Sequence, residues 1–133
     1  MRLGFSLLLL GCAACGSPTL DAHAALAVVN LSPTDGAVDV PLASSQSACF
    51  SAQVLAGDAS DAHFWVADAS GNHAPGLQVV LSPTDAHCVT VSHEALAAGS
   101  GYVLHVDSGV RAADGSGSLP VTVESHFTTV APP

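Results

Sequence analysis

Histidine, cysteine and aspartate are the residue types in this chain that could do chemistry. The seven histidines are His23, His63, His73, His87, His93, His105 and His126. Imidazoles bind transition metals and move protons, but neither His-x-x-x-His nor His-Glu-x-x-His occurs, so the spacing carries no zinc signature. The expectation is of solvated strand histidines. Asp58 with Asp61, or Asp114 with its neighbouring serines, offers oxygen ligands of the kind Ca²⁺ takes, without the spacing of an EF-hand loop. Gly115-Ser116-Gly117 falls short of the Gly-x-Ser-x-Gly nucleophile elbow, and Glu94 and Glu124 are the only glutamates to set beside the aspartates for paired-carboxylate chemistry. No catalytic residue, cofactor or metal site is therefore expected.

The four cysteines divide by position. Arg2 precedes an apolar run from Leu3 to Leu10, followed by Cys12 and Cys15 among small residues. That run is far shorter than the ~20 apolar residues needed to span a bilayer, and it reads as a secretory signal. A bacterial lipoprotein signal ends at a cysteine that receives diacylglycerol and becomes the first residue of the mature chain. Leu9-Leu10-Gly11-Cys12 fits that pattern; Cys15 gives a more ordinary signal length but puts Cys12 where leucine usually stands, so both remain lipidation candidates. An ordinary secretory signal cut after Ala22-His23-Ala24 is the alternative, and it leaves an unusually long stretch between the apolar run and the cut. The resulting organisation is a signal and lipobox region at 1–15, a flexible tether at 16–25 and one domain at 26–131.

Charge narrows the partners. Two arginines and no lysine stand against eleven acidic residues, and loss of Arg2 with the signal takes the formal charge from −9 to −10. Nucleic-acid backbones and anionic membrane surfaces both need clustered cations, so neither is a partner. Membrane attachment would come through the covalent lipid, and any further partner would be an envelope protein or glycan.

The chain that must position these groups reads as β throughout. Val, Thr, Phe and Leu alternate over short stretches separated by Gly, Pro, Asp and Ser. The predicted strands cover 26–31, 44–54, 63–68, 76–81, 88–91, 102–107 and 121–130. Alternation turns Val29, Leu31, Ala48, Phe50, Leu77, Val79, Leu81, Val89, Val91, Tyr102, Leu104, Val106, Val123 and Phe127 inward. Trp65 lies between Phe64 and Val66 and cannot share their face; the expectation is a core tryptophan, with an outward aromatic marking a contact surface as the alternative. Leu-Ser-Pro-Thr-Asp occurs at 31–35 and again at 81–85, as a reused turn.

An ordered set of phrases goes further: Ser32-Pro33-Thr34-Asp35-Gly36, Val40-Pro41-Leu42, Leu96-Ala97-Ala98-Gly99-Ser100-Gly101-Tyr102, Asp114-Gly115 and Phe127-Thr128-Thr129. In this the chain resembles the bacterial Ig-like domain of the S-layer (SbsA) type, over nearly everything after residue 26. The resemblance implies a single all-β, Ig-like antiparallel β-sandwich of about seven strands. It also implies a tyrosine corner, in which the Tyr102 hydroxyl bonds backbone a few residues upstream. Cys49 and Cys88 share the parity opposite to the inward residues, and the strands carrying them would be antiparallel neighbours in such a sheet. A Cys49–Cys88 disulfide is therefore expected, with roughly 4 kcal/mol of stabilisation less any strain. His105 and His126 would lie on the outer face of adjacent strands, where they could pair or catch a metal.

A second resemblance, in His23-Ala24 and Ser32 to Gly36, is to small periplasmic copper-binding proteins of the CopC type. It implies an N-terminal histidine ligand and a later histidine after Asp-Gly, whereas Asp114-Gly115 here is followed by Ser116. The expectation is thus a non-enzymatic, lipid-anchored envelope protein whose domain is a structural or protein-interaction module, docking partners at its sheet edges, with CopC-type copper binding as the alternative.

Overall fold

The structure, a computed structural model, describes residues 25–133. The signal and lipobox region, residues 16–24 of the tether, His23 and both candidate lipidation cysteines lie outside the described residues. Eight strands follow in order: β1 Val28–Ser32, β2 Ala37–Val40, β3 Gln46–Phe50, β4 Phe64–Asp68, β5 Gln78–Leu81, β6 Cys88–Ser92, β7 Gly101–Val106 and β8 Val123–Thr129, with one short 3-10 turn at Ala56–Asp58. They form two four-stranded sheets, ordered β1-β3-β6-β5 and β2-β8-β7-β4. Among the described residues no helix is long and apolar enough to cross a membrane.

The strand beyond the expected seven is β2, and it arises where the chain changes sheet. At Ser32–Gly36 the chain leaves β1, and Gly36 takes φ +88°, a conformation that costs a residue without Cβ nothing. The Ala37 amide donates to the Thr34 carbonyl, the Gly36 amide to the His126 carbonyl, and the Ser125 hydroxyl to the Pro33 carbonyl. These bonds lay β2 parallel to β8, while every other neighbouring pair is antiparallel. Four residues between two turns are too few to show alternation, which is why the pattern gave no strand there.

Inward residues of both sheets fill the space between them. Phe50 and Phe64 meet edge to face at 6.0 Å, and Tyr102 stacks over Phe127, its direct cross-strand partner. Ala48, Phe50, Val89, Val91, Leu104, Val106 and Phe127 are buried as alternation requires, while Leu31, Leu77, Val79, Leu81, Tyr102 and Val123 pack partly buried against them. Val29 is a correction: it is 64% exposed. The β1–β3 register shifts between Val28 and Asn30, so Val28 and Leu31 both reach the core and the bulge carries Val29 outward. The long strand expected at 44–54 is likewise only β3, which ends at Phe50 where Ser51 and Ala52 bend.

Trp65 is the other correction. Phe64 and Val66 are fully buried, which turns Trp65 to the outer face of its sheet. The tyrosine corner forms as expected, with the Tyr102 hydroxyl accepting from the Ala97 amide at 2.9 Å. Thr129 closes the same corner, its hydroxyl donating to the Ala97 carbonyl and accepting from the Ser100 amide.

Candidate functional site

The outer face of the β2-β8-β7-β4 sheet gathers the polar and aromatic groups into one row. Antiparallel pairing puts Glu124 of β8 opposite His105 of β7, and His105 opposite Trp65 of β4. His73 comes from the far side of β4, where Ala67 bridges to it. The indole stacks on both imidazoles, 3.9 Å from His105 and 5.0 Å from His73 between ring centres. Glu124 approaches His105 Nδ1 at 3.2 Å.

The row continues along β7 into an alternation of acids and bases. Asp107 lies two residues beyond His105 on the same face, 3.5 Å from its Nε2 and 4.0 Å from His63 Nδ1. His63 Nε2 in turn lies 3.9 Å from Asp58. Both His105 Nε2 and His63 Nδ1 are buried without a hydrogen-bond partner. Asp58, nine-tenths and more buried, ends the series on Arg111: it accepts from the Arg111 amide, Nε and Nη2 at 2.8–2.9 Å. The Arg111 hydrogen bonds hold the Asp58 carboxyl below its ordinary value, outweighing burial, which pushes it up.

The remaining histidines are taken up locally. His126 and His105 share a face of adjacent strands but sit two residues apart in register, so the His105–His126 pairing that the sequence left open does not form. His126 faces Asp35 instead, and His87 faces Asp85. Backbone hydrogen bonds from His126 and His87 hold those two carboxyls below their ordinary value. His93 spans the Glu94 carbonyl at 2.6 Å and Gln46 Oε1 at 2.7 Å, the latter on a fully buried side chain.

Sequence reasoning missed the His93–Gln46 pair because a glutamine among apolar strand residues gives no periodic signal. It missed the Asp58–Arg111 pair because the partners are 53 residues apart. Asp58 is committed to Arg111 while Asp61 is exposed, so the two do not converge as Ca²⁺ ligands. Among the described residues no group of three or more His, Cys, Asp and Glu could hold a metal ion. Cys49 and Cys88 are joined in a disulfide directly across the β3–β6 ladder, on the outer face of the other sheet.

Two sheets closed over one core, with a tyrosine corner and a chain that changes sheet between β1 and β2, define an Ig-like sandwich. The chain belongs to the bacterial Ig-like domain family, which it matches over residues 22–129. Among solved structures it is similar to CopC from Methylosinus trichosporium OB3b, with TM-score 0.57 and 20% identity over 78% of this chain and 92% of that one. It is also similar to surface layer protein SbsC, domains 1-6, with TM-score 0.56 and 19% identity over 85% of this chain and 15% of that one. The N-terminal part of SbsC gives TM-score 0.54 at 20% identity, this chain covering 24% of it. The protein thus spans nearly the whole of CopC and a small part of SbsC. No curated protein matches the sequence.

Proposed function

We propose that this protein is a non-enzymatic cell-envelope lipoprotein whose Ig-like domain is a protein-interaction module, held to a membrane by an acyl group on Cys12 or Cys15. The observation that carries the interaction reading is the Trp65 row. A tryptophan on the outer face of a sheet, flanked by His73, His105 and Glu124, has the aromatic, partly polar composition of a contact centre. The S-layer-type fold supports a place in the envelope, and the apolar leader supports export.

A photocrosslinker placed at exposed His73 tests the reading in intact cells. A discrete adduct that disappears in the Trp65→Ala variant is expected; recovery of monomer alone overturns it. The intact mass of protein recovered from membranes tests the anchor, with an acylated Cys12 or Cys15 expected.

CopC-type copper binding is the second reading, favoured by the near-complete coverage of a CopC chain. It needs His23 at the mature N-terminus and a substitute for the missing histidine after Asp114-Gly115. An unmodified chain beginning at His23 that binds Cu²⁺ stoichiometrically would replace the first reading with this one.

A further inference from the structure

Cys49 and Cys88 face one another at a particular kind of ladder position. The Phe50 amide donates to the His87 carbonyl at 2.8 Å, which makes 50/87 a hydrogen-bonded pair and 49/88 the non-hydrogen-bonded pair beside it. Strands bring Cα atoms closest at such positions, here to 4.0 Å, which is shorter than the range of about 4.4–6.8 Å where disulfides usually sit. The spacing is imposed by the strands, since the same register runs on through Ala48 opposite Val89 and Gln46 opposite Val91. Alternation also puts the bridge outside the core: Ala48, Phe50 and Val89 are buried, while both cysteines keep partial exposure.

Asp85 adds a second feature. Its Oδ2 lies 3.7 Å from Cys88 Sγ, and its Oδ1 is held by the His87 amide and imidazole. A sulfur in a disulfide has no proton to give that carboxylate, but a Cys88 thiol has one. The carboxylate therefore stabilises the reduced form with Cys88 protonated, and it disfavours negative charge on Cys88.

We propose that Cys49–Cys88 is a reversible thiol-exchange site, opened by a thiolate reductant while the sandwich stays folded. The incoming thiolate attacks Cys88 Sγ, forming a mixed disulfide and expelling Cys49, the sulfur that Asp85 does not contact as a partner, as a thiolate. A second thiolate then attacks the reductant's sulfur in that mixed disulfide, and Cys88 leaves as a thiolate; Cys88 and Cys49 each take from water a proton of the kind the reductant thiols released on ionising, which leaves the Cys88 thiol bonded to Asp85. Two thiols of reductant are oxidised to their disulfide, and their two electrons reduce the bridge. The β3–β6 ladder and the core beneath it remain.

The test follows reduction of the purified protein by millimolar glutathione, with acid quench, alkylation and peptide mass analysis reporting Cys49 and Cys88 separately. The expected rate is unchanged by urea below the unfolding transition, and the Trp65 fluorescence of the reduced protein is native. A rate that rises with urea in parallel with unfolding overturns the proposal, because the bridge would then open only in the unfolded chain. Asp85→Asn keeps an acceptor for the His87 amide and removes the one facing sulfur. Its half-reduction point in glutathione redox buffers is expected to need a several-fold more reducing ratio, and an unchanged ratio removes Asp85 from the mechanism and overturns that part of the assignment.

Discussion

Asp58 and Arg111 form the ion pair whose removal has the most asymmetric consequence. Asp58 is 3% exposed and accepts three hydrogen bonds from Arg111, whereas the Arg111 side chain is 62% exposed. In Asp58→Ala the guanidinium can turn into water, so the loss is that of charge-assisted bonds, about 2–3 kcal/mol. For a domain of this size that lowers the thermal midpoint by roughly 10–20 °C. In Arg111→Met the carboxylate stays buried without its cation, and such orphaned charges are the costlier half of a pair. Arg111→Met is therefore expected to be less stable than Asp58→Ala, and the double variant more stable than Arg111→Met alone. The pH dependence follows from the depressed Asp58 carboxyl. A folded value below the ordinary 3.8 gives stability that is fully present above the unfolded value and lost as pH falls through the folded one. The gap between wild type and Asp58→Ala is thus constant from neutrality down and closes below about pH 4. Urea unfolding followed by Trp65 fluorescence, at neutral and acid pH, measures all of this. An Arg111→Met variant milder than Asp58→Ala would refute the burial asymmetry on which the reasoning rests.

Three further outcomes are expected. Tyr102→Phe removes the hydroxyl that accepts from the Ala97 amide and should cost about 1 kcal/mol, seen as a lower thermal midpoint with an unchanged far-UV spectrum. His93→Ala strands the Gln46 carbonyl inside the core, at about 1–3 kcal/mol by urea unfolding, and Gln46→Leu in the same background should recover part of the loss. Replacing Cys49 and Cys88 together with serine lowers stability by up to roughly 4 kcal/mol, the chain-entropy value for partners 39 residues apart; a variant as stable as wild type would show that the imposed spacing cancels the whole gain.

The sandwich was legible because period-two alternation and turn residues act over a few neighbours, and both survive into the structure wherever a strand is regular. Parity turned Cys49 and Cys88 outward and the Ig-like resemblance made their strands neighbours, and parity posed the Trp65 choice in the right terms: one of Trp65 and its neighbours had to face out. The choice went the other way because Phe64 closes against Phe50 from the opposite sheet, a contact between β3 and β4 that no local pattern encodes. Val29 failed for a related reason, since one bulge reverses the face of every residue before it. Core residues outside the strands were invisible to alternation: Val54, Leu96, Val110, Ala112 and Leu119 are all buried in connecting segments held by single bridges and long-range backbone bonds.

The histidines make physical sense once the shortage of permanent cations is set beside the acid count. Arg111 is the one Lys or Arg among the described residues, and the fold gives it to Asp58, the one buried carboxylate. A buried carboxylate needs a partner whose charge is always present and whose donors fit both oxygens, and only a guanidinium offers that here. The exposed acids have cheaper requirements, because water already solvates them. Asp35, Asp85, Asp107 and Glu124 are each matched with imidazoles, which serve as cations only while they carry their second proton. The spacing that looked unsuited to a metal is thus, for His63, His87, His105 and His126, the spacing of carboxylate partners, each of the four facing its acid across a turn, a ladder or a loop. Exchanging Arg111 for histidine would test that division of labour: the Asp58 latch should then hold in acid and weaken as the pH rises, whereas the wild-type latch keeps its strength.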